Sequence, residues 1–354
     1  MMDIMLSLKD VNRATLARQH LLRRHDGTAA DVVHRLAGLQ AQEPRPPYLG
    51  VWTRLAGFER AELHEALHAG ALVRASLHRG TLHLVTAADF AAFRPVLAPV
   101  LDAAARRFPD LDPAPVVAAA ERMLAERPHT FNELRPRLAA EFPGAYDRAL
   151  GYAVRMMTPL VMVPTEDRWS FPRDPAFALP GVEQDPRPGV EHLVERYLAA
   201  FGPATAADAQ AWSGLGGLKP VLKGMRERLE VLTDETGREL YDLPGAPRPG
   251  GDAPAPVRFL PDFDNLMLGH ADRTRVLAEE HRAAVVTKNL RVRATYLVDG
   301  FVAGTWQVKR SGKKAKLLVT PFAGHPLDPL EEEGLALLAF AEPDAASYTL
   351  EAAS

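Results

Sequence analysis

Two glutamines, Gln40 and Gln42, stand on either side of a small residue at the end of an apolar stretch. The segment from Leu36 to Glu43 has the sequence LAGLQAQE, and Pro44 follows it at once. If the preceding helix has ended before this pair, alternate residues point the same way and both amides face one side. A glutamine has no accessible pKa and cannot act as a general base, but its carbonyl oxygen can hold and orient a water molecule.

A second polar cluster lies in the run RASLHRGTLH, from Arg74 to His83. Polar and apolar residues alternate here, which predicts an extended segment. Arg79, Thr81 and His83 would then share one face of a strand. Buried hydrogen bonding within the core is the competing explanation for this pattern.

A third cluster begins at Asp264 and Asn265, after the apolar segment that ends in LPDF. His270 and Asp272 follow within eight residues. Asp and Asn commonly cap helices and form turns, so a structural role and a functional role both remain open for these side chains.

Metal and cofactor motifs are weak in this sequence. His64 and His68 form an i, i+4 pair, but no third ligand is apparent from the sequence. The chain has no cysteine, so disulfides, thiolate metal sites and cysteine nucleophiles are excluded. The GLGG segment at 214–217 follows a predicted helix and is expected to be its C-cap. We therefore expect neither a metal nor a small-molecule cofactor.

Three helix-turn-helix units make up most of the chain before residue 245. Each has a threonine at a predicted helix N-cap, at Thr28, Thr130 and Thr205, with an acidic residue three positions later. This spacing lets the hydroxyl and the carboxylate satisfy free N–H groups at the helix start. The second and third units continue with another helix and a short β-hairpin, which is the element order of a winged helix. Repeated winged helices typically bind DNA, although capped helix pairs also occur in other helical proteins.

The last hundred residues have a different pattern. Asp299-Gly300 predicts a two-residue hairpin turn, and the segment 311–314 predicts a second turn with a basic tip. A helix is expected at 331–340, followed by a last strand near residue 350. Stretches rich in Pro and Gly at 179–189 and 244–256 indicate linkers. The expected division is a winged helix at 1–110, a second at 111–180, a third at 188–245 and a β domain at 255–354.

Composition is that of a globular protein with several domains. The 354 residues are 47% hydrophobic and 25% charged, with a net charge of −3. No signal peptide or membrane span is apparent, so a cytoplasmic location is expected. Basic residues cluster locally, at Arg13, Arg18, Arg23 and Arg24 and again across 282–316, and such patches are sufficient for phosphate contacts.

Four motifs together resemble one family. LQAQ at 39–42, PYLGVW at 47–52, RGTLHL at 79–84 and FLPDFDN at 259–265 are similar to the winged-helix DNA glycosylases of the AlkZ/YcaQ type. The resemblance follows the same order over nearly the whole chain. It implies an α+β, C-shaped protein of three tandem winged helices with a C-terminal antiparallel β domain that grips duplex DNA.

The resemblance also implies an activity, which is hydrolysis of the N-glycosidic bond of bulky alkylated purines, including antibiotic adducts and interstrand crosslinks. Family members near antibiotic gene clusters serve in self-resistance. The implied catalytic pair is Gln40 and Gln42, and a C-terminal hairpin would probe the minor groove. The expected partner is duplex DNA containing alkylated purines, bound by a monomer. Contacts to DNA are expected from Arg45, Arg74, Arg79, Thr81, His83, Lys309, Arg310, Lys313 and Lys314, with Asp264, Asn265 and His270 in support.

Two other functions are compatible with parts of the sequence. A winged-helix regulator without catalysis explains the repeated units but not the second glutamine of the pair, and it would bind one operator sequence tightly. A partner-binding role for the β domain has no long exposed apolar stripe to support it.

Overall fold

A computed structural model describes residues 5–108, 110–289, 291–322 and 326–353. The helices are α1 (Leu8–Arg18), α2 (Ala29–Arg35), α3 (Arg45–Trp52), α4 (Arg60–His68), α5 (Ala87–Val96), α6 (Ala98–Ala105), α7 (Pro113–Glu126), α8 (Phe131–Glu141), α9 (Asp147–Met157), α10 (Gly189–Phe201), α11 (Ala206–Ser213), α12 (Leu218–Gly224), α13 (Arg282–Val285) and α14 (Glu331–Ala341). The strands are β1 (Met5–Leu6), β2 (Leu39–Gln40), β3 (Leu72–Ser76), β4 (Leu82–Thr86), β5 (His129–Thr130), β6 (Val161–Met162), β7 (Ala176–Ala178), β8 (Glu230–Asp234), β9 (Glu239–Asp242), β10 (Arg258–Leu260), β11 (Thr295–Val298), β12 (Phe301–Ser311), β13 (Lys314–Pro321) and β14 (Ser347–Ala352). No helix in these ranges is both long and apolar enough to cross a membrane.

The first two units share one six-stranded sheet, in the order β2-β4-β3-β6-β7-β5. Each half contains a short strand paired with the second strand of a hairpin, which is the sheet of a winged helix. The halves meet where β3 pairs with β6 through Ala75 and Val161. A common apolar core that includes Leu84 and Leu150 lies beneath both halves. The α+β class and the winged-helix elements are thus confirmed.

The capping boxes at Thr28, Thr130 and Thr205 are all present, but they do not mark equivalent helices. In the second unit β5 precedes the capped helix α8, whereas in the first unit β2 follows the capped helix α2. The expected equivalence of Thr28 with the other two threonines was therefore wrong. A capping box shows where a helix begins and carries no information about which helix of the domain it is.

The second helix of the first winged helix is α3, which begins at Arg45 and has proline at its start. Proline is well tolerated in the first helical turn, because the N–H that it lacks would have no intrahelical partner there.

Helix α1 lies outside the first winged helix. Strand β1 adds in parallel to β8 of the third unit, and the Arg18 guanidinium donates to Asp242 Oδ1 at 2.6 Å. Arg13 is also buried and is paired with Asp299. The expected basic surface at Arg13 and Arg18 was therefore wrong, because these side chains join α1 to its neighbours. We propose that residues 5–18 belong structurally with the third unit.

The C-terminal domain is a five-stranded sheet in the order β10-β11-β12-β13-β14, with α14 packed against it. The first three pairings are antiparallel, as expected, while β14 runs parallel to β13 because α14 carries the chain back across the sheet. The Trp306 indole nitrogen lies 2.9 Å from the carbonyl oxygens of both Leu260 and Thr295, so this side chain of β12 also holds β10 and β11.

The two turns of this sheet have different surroundings. Asp299 and Gly300 have φ values of 47° and 80° and pack onto α1, where the carbonyl of Gly300 accepts from Asn12 at 2.9 Å. A Cβ on Gly300 would collide with Asn12 and Arg13. The turn at Gly312 faces open space. Only the second turn is therefore free to approach another molecule.

Candidate active site

Gln40 is the last residue of the short strand β2, and Gln42 lies in the bend that follows it. Helix α2 ends at Arg35, well before the pair, and Gly38 turns the chain into β2 with a φ of 96°. Leu39 and the alanine between the glutamines are buried in the core. Gln40 is only 8% exposed, whereas Gln42 lies at the surface.

The side chain of Gln40 is held by an arginine. Arg79 Nη2 donates to Gln40 Oε1 at 2.7 Å, and the same guanidinium donates to the carbonyl of Trp212. The backbone N–H of Gln40 donates to Asn265 Oδ1 at 3.1 Å, and the Asn265 amide in turn donates to the carbonyl of Gly38. With its oxygen engaged by Arg79, Gln40 keeps its NH2 group as the free hydrogen-bonding group.

Gln42 is held differently. Its Oε1 lies 3.5 Å from the backbone N of Leu82, which is the outer limit of a hydrogen bond. The backbone on either side of its Cα is fixed by Arg74, whose Nε donates to the carbonyl of Ala41 at 2.8 Å and whose Nη2 donates to that of Gln42 at 3.2 Å. The segment is thus rigid, while the Gln42 amide oxygen has capacity for a further partner.

Arg74 and His83 do not lie on the surface where contacts to DNA were expected. Arg74 is 4% exposed, and burial lowers its pKa to about 10, so it stays charged at neutral pH. His83 is 3% exposed, and its Nδ1 lies 3.0 Å from the Thr81 carbonyl. Burial lowers the pKa of His83 to about 3, with a smaller effect from Arg79. Because both side chains face backbone carbonyls, we propose that they support the glutamine segment and do not contact DNA.

The segment around Arg79 is a turn and not a strand. Arg79 has a φ of 57° and Gly80 a φ of 68°, and together they reverse the chain between β3 and β4. The expectation that Arg79, Thr81 and His83 share a strand face was therefore wrong. The glycine allows the tight reversal, and the reversal brings the Arg79 guanidinium back to Gln40. The Thr81 hydroxyl donates to the carbonyl of His78 at 3.1 Å and closes the turn.

The third polar cluster divides into two parts. Asp264 forms a fully buried, bidentate ion pair with Arg54 at 2.8 and 2.9 Å and also accepts from the N–H of Leu266 at 2.9 Å. It therefore fixes the turn that presents Asn265 to Gln40. His270 is placed elsewhere, with its Nε2 3.0 Å from the carbonyl of Phe201 at the end of α10.

Arg54 was missed by the sequence reasoning. It is the first charged residue after the apolar residues of α3, and its side chain is fully buried. A lone arginine at the end of an apolar helix predicts a buried acidic partner, since an unpaired buried charge is costly. That signal does not identify Asp264, which lies 210 residues away in the chain.

Two cavities meet at Glu43, the residue after the glutamine pair, which lines both. The larger, about 680 Å³, opens toward the C-terminal domain between Arg45, Arg291 and Trp306. The smaller, about 390 Å³, opens toward the second winged helix and includes Gln42 itself. Both volumes are in the range of small-molecule binding sites.

The expected DNA contacts of the C-terminal domain lie on the hairpin of β12 and β13. Lys309, Lys313 and Lys314 are exposed. Arg310 is bound to Glu342 at 3.0 Å, and Arg45 reaches the same carboxylate at 3.4 Å. Glu342 therefore connects the end of β12, next to the hairpin turn, to the start of α3, beside the larger cavity.

Comparison with known proteins identifies the family of this chain. An interstrand DNA cross-link repair glycosylase of Streptomyces sahachiroi is 29% identical over 331 residues, which is 87% of this chain and 88% of that protein. The solved structure of the Streptomyces sahachiroi DNA glycosylase AlkZ superposes with a TM-score of 0.77 at 23% identity. The superposition covers 99% of this chain and 100% of that one, and it supports the fold. Residues 33–340 match the family described as DNA glycosylase AlkZ-like, and the chain therefore belongs to the AlkZ-like DNA glycosylases.

Proposed function

We propose that this DNA glycosylase hydrolyses the N-glycosidic bond of bulky N7-alkylated purines in duplex DNA, including adducts of genotoxic antibiotics and interstrand crosslinks. The similarity to a crosslink repair glycosylase supports the lesion class. The enzyme is monofunctional in this proposal, acts as a monomer in the cytoplasm and uses water as its nucleophile. A role in antibiotic self-resistance follows if the host makes the genotoxin.

The chemistry requires little acid or base catalysis. An N7-alkylated guanine carries a positive charge, so the base can leave without being protonated. The sugar then passes through an oxocarbenium-like transition state, as in glycoside hydrolysis. A site that places a water below C1′ and faces the cation with amide oxygens is sufficient for this reaction, and amides can do both.

The observation that carries the assignment is the different hydrogen bonding of the two glutamines. The Gln42 oxygen has only a long contact to Leu82, so it is available to accept from a water molecule and orient it. The Gln40 oxygen is taken by Arg79, which leaves an NH2 donor beside a guanidinium. Such a pair of donors suits a sugar or phosphate oxygen. We therefore assign water positioning to Gln42 and substrate orientation to Gln40.

The exposed basic hairpin completes the proposal. Lys309 and Lys314 lie on the long strands β12 and β13, and Lys313 lies in the turn between them. All three would contact phosphate or the edge of the minor groove. Contacts of this kind position a protein on DNA without reading its sequence. The alternative, a regulator without catalysis, predicts one preferred operator.

The experiment is base release from duplexes that carry one labelled N7-methylguanine, one bulky intercalating N7 adduct or one N7-linked crosslink. Alkaline cleavage of the abasic product is followed on a gel. We expect release of the bulky adduct and unhooking of the crosslink. Activity on the methyl adduct alone would contradict the proposed lesion class. Absence of release from all three, together with tight binding to one undamaged sequence, would favour the regulator.

A further inference from the structure

A cluster of possible metal ligands lies between the first and the second winged helix. His64 and His68 lie on one face of α4, and Glu166 reaches them from the turn between β6 and β7 of the second unit. His64 Nε2 is 3.4 Å from one carboxylate oxygen, and His68 Nε2 is 3.8 Å from the other. The sequence shows only the histidine pair, because Glu166 is brought to it by the shared sheet.

The distances are close to those of a metal centre. The nearest ligand atoms of the three side chains all lie within 4.8 Å of one another. In a tetrahedral zinc site with ligand distances of about 2.0–2.2 Å, neighbouring ligand atoms stand roughly 3.3–3.6 Å apart. Glu166 is largely exposed and His68 partly so, so small rotations of these side chains bring the third pair of atoms into range.

A buried hydroxyl orients one of the histidines. His64 Nδ1 lies 2.9 Å from Ser170 Oγ, and that hydroxyl also contacts the Tyr48 hydroxyl in the interior. Ser170 is fully buried and has a φ of 62°. A partner on the second ring nitrogen is what metal-bound histidines normally have, since it fixes the ring and directs Nε2 to the metal. A chance pair of surface histidines needs no such support.

We propose that His64 Nε2, His68 Nε2 and the Glu166 carboxylate bind one divalent transition-metal ion, with Zn²⁺ as the first candidate. Two imidazoles and one carboxylate form a common donor set for zinc and leave a fourth position for water. The ion joins α4 of the first winged helix to the wing turn of the second. Trp169 in that turn packs edge-on against Tyr48, with ring centroids 5.2 Å apart, so the ion also holds this aromatic contact in place.

The test uses the full-length chain after removal of metal with a chelator and dialysis. Zn²⁺ is titrated against a chromophoric chelator, Co²⁺ binding is followed by visible absorption, and Tm is measured with and without Zn²⁺. The variants are His68→Ala and Glu166→Gln, both at exposed positions. The matched controls are Glu65→Gln, a neighbouring carboxylate on α4, and His34→Ala, whose ring contacts a carboxylate of Asp89 at 3.2 Å.

We expect one Zn²⁺ per wild-type chain, a cobalt spectrum of a four-coordinate site and a higher Tm with zinc. His68→Ala should abolish the stoichiometric binding, Glu166→Gln should weaken it at least tenfold, and both should lose the zinc-dependent rise in Tm. The two controls should behave as wild type. Equal zinc affinity in wild type and Glu166→Gln, or stoichiometric binding that survives in His68→Ala, would overturn the proposal.

Discussion

Gln40 and Gln42 have the same side chain, yet their neighbours give them different hydrogen-bonding capacities. Arg79 holds the oxygen of Gln40 at 2.7 Å, while the oxygen of Gln42 has only the 3.5 Å contact to the Leu82 amide. A charge-assisted hydrogen bond is shorter and stronger than one between neutral groups, so Gln40 is fixed in one orientation. Arg79 is therefore a positioning residue that acts through Gln40.

This role predicts non-additive effects of substitution. Arg79→Ala should slow base release by about tenfold because Gln40 loses its orientation, and Gln40→Ala should have an effect of similar size. The double variant should be no slower than the slower single variant, since the two side chains act as one unit. The double-mutant cycle is measured from the single-turnover rates of the wild type, both single variants and the double variant at saturating DNA. Independent, multiplicative losses would mean that Arg79 acts elsewhere, for instance on DNA directly.

The sequence predicted the type of these residues better than their surroundings. The spacing of Gln40 and Gln42 predicts a shared face, because side chains alternate along an extended segment, and this stays a prediction since β2 ends at Gln40. The contact of Asn265 with Gln40 joins residues 225 positions apart, and only tertiary packing brings them together. Arg79 was placed on a strand because its positive φ, which depends on the following glycine and on packing, leaves no periodic signal.

Among the elements, the turn of Asp299-Gly300 is one of the contacts through which the β domain packs onto α1. Its glycine has a φ of 80° and lies against Asn12 and Arg13. Gly237, in the turn between β8 and β9, has the same φ of 80° but faces open space. Alanine at either position would be strained by the positive φ. Only at Gly300 would its Cβ also collide with neighbouring side chains.

Gly300→Ala should accordingly lower the free energy of unfolding by about 2–4 kcal/mol, and Gly237→Ala by only about 1 kcal/mol. Urea denaturation followed by circular dichroism measures both. Equal destabilisation of the two variants would show that the turn is not tightly packed against α1.

The hairpin of β12 and β13 is the exposed element of the β domain. If Lys313 and Lys314 contact phosphates, replacing both with alanine should weaken binding to any duplex and reduce the slope of log K against log salt by roughly 1–2 units, at about 0.9 per contact. Fluorescence anisotropy at several salt concentrations measures this slope. Arg122→Ala removes an exposed charge from α7 and serves as the control. An unchanged slope in the lysine variant would show that Lys313 and Lys314 do not contact the phosphates of the bound DNA.

Local signals predicted the elements well and their assembly less well. The capping boxes, the Asp-Gly turn and the helix at α14 follow from neighbouring residues, and the structure has all of them. The position of α1 depends on contacts such as that of Arg18 with Asp242, which are 224 residues apart. An arginine that forms a buried ion pair and one that binds phosphate look alike in the sequence.

The whole molecule carries several buried histidines that burial keeps neutral. Burial lowers the pKa of the half-buried His20 to about 4 and that of the buried His83 to about 3, from an ordinary value of 6.5, and it also lowers the pKa of the buried His270. The unfolded chain therefore binds more protons than the folded protein between about pH 6.5 and pH 3. The free energy of unfolding is highest above pH 6.5 and falls as the pH drops through this range.

Replacing one of these histidines should make the free energy of unfolding less dependent on pH in this range. The His83 ring faces the buried His78 ring, with 4.9 Å between the ring centroids. The charge of Arg79 also lowers the pKa of His83, so neither neighbour favours the protonated form of His83. His83→Gln keeps a donor for the Thr81 carbonyl and removes the titrating group. Between pH 6 and pH 4.5 its stability should fall less steeply than that of wild type, by about 1.4 kcal/mol per pH unit. If the free energies of unfolding of the wild type and His83→Gln change equally with pH, this account is contradicted.

The measurement that tests the central proposal most directly is the single-turnover rate of base release from a duplex with one bulky N7-alkylguanine, compared between wild type and Gln42→Ala. The variant should be slower by roughly 10²–10³, the loss typical of removing one preorganised polar group, with unchanged affinity for the duplex. Gln184→Ala, in the linker before α10, should release the base at the wild-type rate. A wild-type rate in Gln42→Ala would contradict the proposal that this side chain positions the attacking water.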